Sequence, residues 1–131
     1  GLGAAPASAG LNLSRVTGEW AGDMIIKVAD KTQRVPMRMT FRSDGKVVVV
    51  GQRKQDRMQT LVYEIHRDHI LLKSPTRVEN DVKLTDVQLT STTLTATMLS
   101  ALRAKPRTPD FSIVLDLKRV KTKGATAGSA Q

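Results

Sequence analysis

Along most of this chain apolar and polar residues alternate one by one. In RVPMRMTFR, residues 34–42, Val35, Met37, Met39 and Phe41 take one phase, and Arg34, Arg38 and Arg42 take the other. A period of two puts successive side chains on opposite faces of an extended strand, one face fit for a core and one for solvent. The same period recurs in eight segments, near 20–29, 34–42, 46–51, 57–66, 69–74, 82–90, 94–102 and 111–120. Helical periodicity is nearly absent. Only LNLSRVT, residues 11–17, suits a short helical turn ahead of the first strand.

The separators carry turn chemistry. DKTQ follows the first strand, SDGK at 43–46 holds the Asp-Gly pair of a tight hairpin, and RDH at 67–69 joins strands four and five. SPTRVEND at 74–81 and RAKPRTPD at 103–110 contain proline, and GQRKQD at 51–56 is polar and basic. None is long enough to hold a crossover helix, so neighbouring strands pair antiparallel as a meander. Closing an eight-stranded meander on itself removes its two free edges. The predicted fold is therefore all-β: an eight-stranded antiparallel up-and-down barrel over residues 11–120, between tails at 1–10 and 121–131.

The strand phases agree with closure. Trp20, Gly22, Met24, Ile26 and Val28 share a face of strand one, and Phe111, Ile113, Leu115 and Leu117 share a face of strand eight. Arg119 lies one step beyond Leu117 in the same phase. Antiparallel pairing of these two strands brings Trp20 and Arg119 together at one end. A guanidinium stacked on the indole there closes the floor, worth roughly 0.5–2 kcal/mol.

With those residues in place, GEW at 18–20 resembles the Gly-X-Trp that opens the first strand of lipocalins, and Arg119 sits where that family packs an arginine over the tryptophan. MTFRSDGKVVV at 39–49 is similar to a hairpin of small bacterial lipocalin-like domains. The resemblance runs from about Leu11 to Val120. It implies a compact calycin-type barrel whose interior takes a small hydrophobic molecule, with Trp20 and Arg119 as structural closure. TDV at 85–87 departs from the family's Thr-Asp-Tyr element at Val87, and the helix and disulfides of larger lipocalins are missing.

The candidate ligand-facing residues of the interior are Met24, Met37, Met39, Phe41 and Tyr63. Flexible methionines suit an adaptable apolar pocket and equally a gap-filled core, so periodicity leaves a hollow and a filled barrel both open. Composition narrows the core's materials. With only Trp20, Phe41, Tyr63 and Phe111 as aromatics, it must be built from Val, Leu, Ile and Met. The length, 131 residues, suits one domain, and the absence of cysteine excludes disulfides and thiolate zinc sites.

Charge adds a second candidate surface. The formal net charge is +9, from 21 basic and 12 acidic residues spread along the chain. Such a balance favours anionic partners, here an anionic membrane surface or an envelope protein. Arg34, Arg38 and Arg42 form a basic outer stripe with members about 13 Å apart in a regular strand. RKQDR at 53–57, RAKPR at 103–107 and KRVKTK at 118–123 could extend it. The competing reading is a solvated wall that discourages edge pairing. Specific nucleic-acid binding is not expected, because no aromatic with outward phase accompanies the stripe.

Catalytic chemistry finds no foothold. HRDH at 66–69 brings His66, Asp68 and His69 together, but a hairpin tip explains them and no third metal ligand is evident. No Ser-His-Asp grouping, phosphate-binding glycine loop or HExxH pattern occurs. Neither an enzyme nor a cofactor or metal site is expected. The Ala/Gly-rich ends, with ASA at 7–9 similar to a signal-peptidase site, fit a mature exported, periplasmic or envelope-associated protein, or one domain of a longer chain. The expectation is a non-catalytic module that holds a small hydrophobic or lipid-like ligand. The alternative is a protein-interaction module of the envelope that uses its basic face around a filled core.

Overall fold

Alternation becomes strand wherever the period was unbroken. The computed structural model describes residues 11–51, 57–100 and 111–121. After a helical turn α1 (Leu13–Val16) come β1 (Gly18–Val28), β2 (Lys31–Phe41), β3 (Lys46–Gly51), β4 (Met58–Ile65), β5 (Ile70–Lys73), β6 (Val82–Leu89), β7 (Thr93–Ser100) and β8 (Phe111–Arg119). A single 3-10 turn, Val78–Asn80, lies between β5 and β6. Every strand pairs antiparallel with its sequence neighbour, and β8 pairs back onto β1 to close the barrel. The architecture is a closed eight-stranded antiparallel up-and-down barrel, which is consistent with a calycin-like fold.

Closure occurs in the register the phases demanded: Trp20 faces Arg119, Gly22 faces Leu117 and Met24 faces Leu115. A one-residue slip would turn all of these to the other face, so burial of one face fixes the register. Strand β1 starts two residues earlier than its alternation suggested, because Gly18 and Glu19 pair with Phe41 and Thr40. In β6 the ladder to β7 shifts between Thr85 and Gln88, and Asp86 takes a left-handed φ of 51°. This bulge leaves Asp86 exposed while Val87 packs against the core.

Up-and-down order gives the barrel two distinct ends. The floor carries α1 and the turns at 42–45, 66–69 and 90–92. The mouth carries the 29–30 turn and the 74–81 link. The links 51–56 and 103–110 fall almost wholly outside the described residues, as do the basic clusters within them and both tails beyond Leu11 and Lys121.

The floor is a polar lock built on one arginine. The Arg119 guanidinium lies 4.2 Å from the Trp20 ring centre. It donates to the carbonyls of Arg15 at 2.7 Å, Thr17 at 2.9 Å and Ser91 at 3.0 Å. The indole N–H donates to the Val16 carbonyl at 2.9 Å. Orphan carbonyls at the end of α1 are thereby satisfied by a cation, as helix C-termini favour. Gly18 explains the first letter of the Gly-X-Trp element: its φ is +126°, and a Cβ there would sit 2.6 Å from an Arg119 nitrogen.

Candidate functional site

Burial of the inward face is complete at the floor and falls off toward the mouth. Inward residues near the floor are fully buried: Trp20, Phe41, Val47, Ile70, Leu84, Leu94 and Leu117. Moving up β1, exposure grows from Trp20 at 0% through half-buried Met24 and Ile26 to Val28 at 51%. The same gradient runs along β8, from Leu117 and Leu115 at 0% through half-buried Ile113 to Phe111 at 40%. Val49, Leu61, Val82 and Met98 are likewise half-buried on the inward face. On β2 the inward side chains stay buried up to Val35, in the same register row as half-buried Met24 and buried Leu115. Toward the mouth the inward face is thus an apolar, partly exposed wall, called the cup below.

This geometry divides the five residues the sequence nominated. Met39, Phe41 and Tyr63 belong to the packed floor, where the Phe41 and Tyr63 rings meet edge to face at 5.0 Å and the Tyr63 hydroxyl donates to the Arg42 carbonyl. Met37, buried on the inward face, lies opposite Gly22 on β1 and Gly51 on β3. Met24 faces the cup. Alternation alone could not separate the two levels, because it reports which face a residue takes and not its height along the barrel. Degree of burial separates them, and it adds the inward but half-buried Ile26, Val49, Leu61, Val82, Met98 and Ile113 to the cup wall.

The rim is polar. Lys31 pairs with Val28, and Gln33 with Ile26, so both share the inward phase of the cup. With Thr32 they border a hollow of about 320 Å³ at the β1–β2 hairpin. Gln59 on β4 also takes the inward phase, opposite Val49. An apolar wall below amide and ammonium groups suits a molecule with an apolar body and a polar end.

The arginine stripe is not a row of free cations. Arg34 pairs with Asp23 at 3.1 Å, Arg38 with Glu19, and Arg42 with Asp44. The first two reach diagonally by the same step. Asp23 sits opposite Pro36 and Glu19 opposite Thr40, in each case two residues beyond the arginine it holds. Carboxylates on β1 therefore neutralise Arg34 and Arg38 on the outer face of β2; the exposed Arg34–Asp23 pair contributes about 0–1 kcal/mol, while Arg38–Glu19 is part-buried.

At the floor end His66 and His69 stack across their hairpin, ring centres 4.5 Å apart and 11° from parallel. Each has its own carboxylate: Glu64 at 3.2 Å from His66 and Asp68 at 2.9 Å from His69. Hydrogen bonds from Lys73 and then His66 hold the Glu64 carboxyl below its usual range, and His69 does the same for Asp68. Burial, with a smaller push from the Asp44 charge, raises the Tyr63 phenol above 10. Among the described residues no group of three or more His, Asp or Glu side chains is placed to hold a metal ion. Comparison with known proteins found no family model, no curated protein and no solved structure that matches this chain.

Proposed function

We propose that this chain is a non-catalytic, lipocalin-like binding module that holds a small hydrophobic or lipid-like molecule in the open half of its barrel. The observation that carries the reading is the exposure gradient on β1 and β8, which ends in Val28 at 51% and Phe111 at 40% on an inward apolar face. Apolar side chains left wet inside a concavity gain by covering, at about 25 cal/mol for each Å² removed from water. The rim residues Lys31, Gln33 and Gln59 would meet the polar end of the bound molecule. An exported or envelope-associated setting belongs to the same proposal and draws on the small-residue tails and the +9 charge. No comparable feature favours the outer stripe as a docking face, since each of its arginines already has a carboxylate.

The test is titration with an environment-sensitive fluorescent fatty acid, followed by displacement with an unlabelled one. Saturable one-to-one uptake that Met24→Gln weakens and Met39→Leu spares supports the cup. Equal behaviour of both variants, or no saturable uptake, contradicts it.

A further inference from the structure

Strand β4 is twice as long as the strand beside it: eight residues against four in β5. Its pairing with β3 runs the whole way to Met58, opposite Val50, whereas its pairing with β5 ends at Val62 opposite Lys73. Residues Met58 to Leu61 therefore have β3 on one side and, among the described residues, no strand on the other.

The direction of the free backbone groups follows from two hydrogen bonds. The Tyr63 amide donates to the Gly45 carbonyl, and the His66 amide donates to the His69 carbonyl. Bonding and non-bonding pairs alternate in an antiparallel ladder, so odd residues of β4 bond to β3 and even residues face β5. The N–H and C=O groups of Met58 and Thr60 therefore point away from β3, where β5 has already ended. The 74–81 link does not supply partners. The Ser74 amide donates to the carboxylate of buried Asp81 at 2.8 Å, so the link folds onto itself. Between the two lies a slot of about 540 Å³, with Gln59, Thr60 and Leu61 on one wall and Ser74, Pro75 and Val82 on the other.

Alternating backbone donors and acceptors at strand spacing match one kind of ligand, another stretch of polypeptide. The flanks suit alternate side chains of such a stretch. Leu61 and Val82 give an apolar inner side. Met58, 69% exposed, and Val62, 39% exposed, give an apolar outer one beside Val48 and Val50. Arg57 stands exposed at the mouth end of the edge and forms no ion pair among the described residues. A strand antiparallel to β4 would bring its C-terminal end to Arg57. The overall +9 charge also favours an acidic partner.

We propose that this slot docks an extended segment of a partner protein, which adds a short antiparallel strand to Met58–Leu61 and presents an acidic group at its C-terminal end to Arg57. A recess walled on both sides admits one strand. A second barrel would have to bring its own β4 out of the same recess. Four residues of ladder make a small interface, of the size seen in transient encounters. The slot shares Gln59, Leu61 and Val82 with the cup, but its backbone donors at Met58 and Thr60 lie outside the cup, so exchange at those two amides reads strand addition alone.

The probe is acetyl-Val-Thr-Val-Thr-Val-Asp with a free C-terminal carboxylate, added to the full chain. Amide hydrogen exchange should slow about tenfold or more at Met58 and Thr60 on saturation, with little change at Leu61, whose amide already faces β3. Thr60→Pro removes one slot-facing donor without touching the β3 ladder, a place where proline is tolerated, and should weaken binding about tenfold. Arg57→Glu should weaken it by a similar factor. A control that needs no protein variant uses two peptides N-methylated at alternate residues. One set should lose binding and the other retain it. Equal binding of the two methylated peptides, or unchanged exchange at Met58 and Thr60 at millimolar peptide, overturns the proposal. So does protection of both amides in the free protein together with a dimer mass in light scattering, which would assign the edge to a second copy.

Discussion

Replacing Arg119 by alanine tests the floor of the barrel quantitatively. The guanidinium joins three carbonyls from two separate stretches, Arg15 and Thr17 before β1 and Ser91 in the β6–β7 turn, and lies 4.2 Å from the Trp20 ring centre. A hydrogen bond from a charged donor is worth about 1.5–3 kcal/mol net when sequestered. Arg119 is half-exposed, so water can replace part of what the truncation removes, and the three bonds together contribute about 2 kcal/mol rather than their sum. The stacking on the indole adds roughly 0.5–1 kcal/mol. Arg119→Ala should therefore cost about 3 kcal/mol. Arg119→Lys should cost about half as much, since one ammonium cannot reach three diverging carbonyls or stack as a plane. Urea unfolding measures both, because Trp20 is the chain's single tryptophan and reports from the lock itself, with circular dichroism as the global check. A loss below about 0.5 kcal/mol for Arg119→Ala would refute the reasoning, since it would mean that the two stretches hold together without the arginine.

Gly22→Ala should destabilise the fold by about 1–3 kcal/mol in the same assay, because a Cβ at Gly22 would stand 2.2 Å from the Asp116 carbonyl oxygen on β8. Tyr63 is the only tyrosine, so ultraviolet titration reads it directly; its midpoint should lie above 10 in the folded protein and fall to about 10 in denaturant. The sign follows from that raised value. The neutral phenol's contribution is complete below pH 10 and is lost as pH rises through the folded midpoint, and Tyr63→Phe should remove that part of the alkaline destabilisation. Glu64 and Asp68 act in the opposite direction. Their lowered values mean support for the β4–β5 hairpin that is present above the usual carboxylate range and lost as pH falls through the folded ones, which melting curves from pH 6 to 3 can follow in Glu64→Gln. In the cup, Met24→Gln should weaken fatty-acid uptake about tenfold at small cost to folding, as an amide replaces an apolar contact.

The barrel was legible in the sequence because burial of one face imposes a period of two, and the turn residues between strands left no room for crossovers. The Trp20–Arg119 closure was legible for the same reason, since both residues keep the inward phase to the ends of their strands. Three things were not. The β6 bulge at Asp86 adds a residue without breaking composition, so TDV reads as ordinary strand. The pairing of Arg34 with Asp23 and of Arg38 with Glu19 depends on a diagonal between strands whose register is set by tertiary contacts. The early end of β5 likewise follows from the Ser74–Asp81 hydrogen bond, a contact across seven residues that no periodicity records. The inward phase of Met24 and Met37 was legible from alternation, while their different degrees of burial were not, because a period of two reports only which face a residue takes.

The most direct test of the central claim is native mass spectrometry of the gently purified chain, before and after incubation with a long-chain fatty acid. A discrete one-to-one adduct, removed by solvent extraction and weakened in Met24→Gln, is the result the open cup predicts. The bare mass throughout, with the cup residues unchanged in exposure, would contradict it.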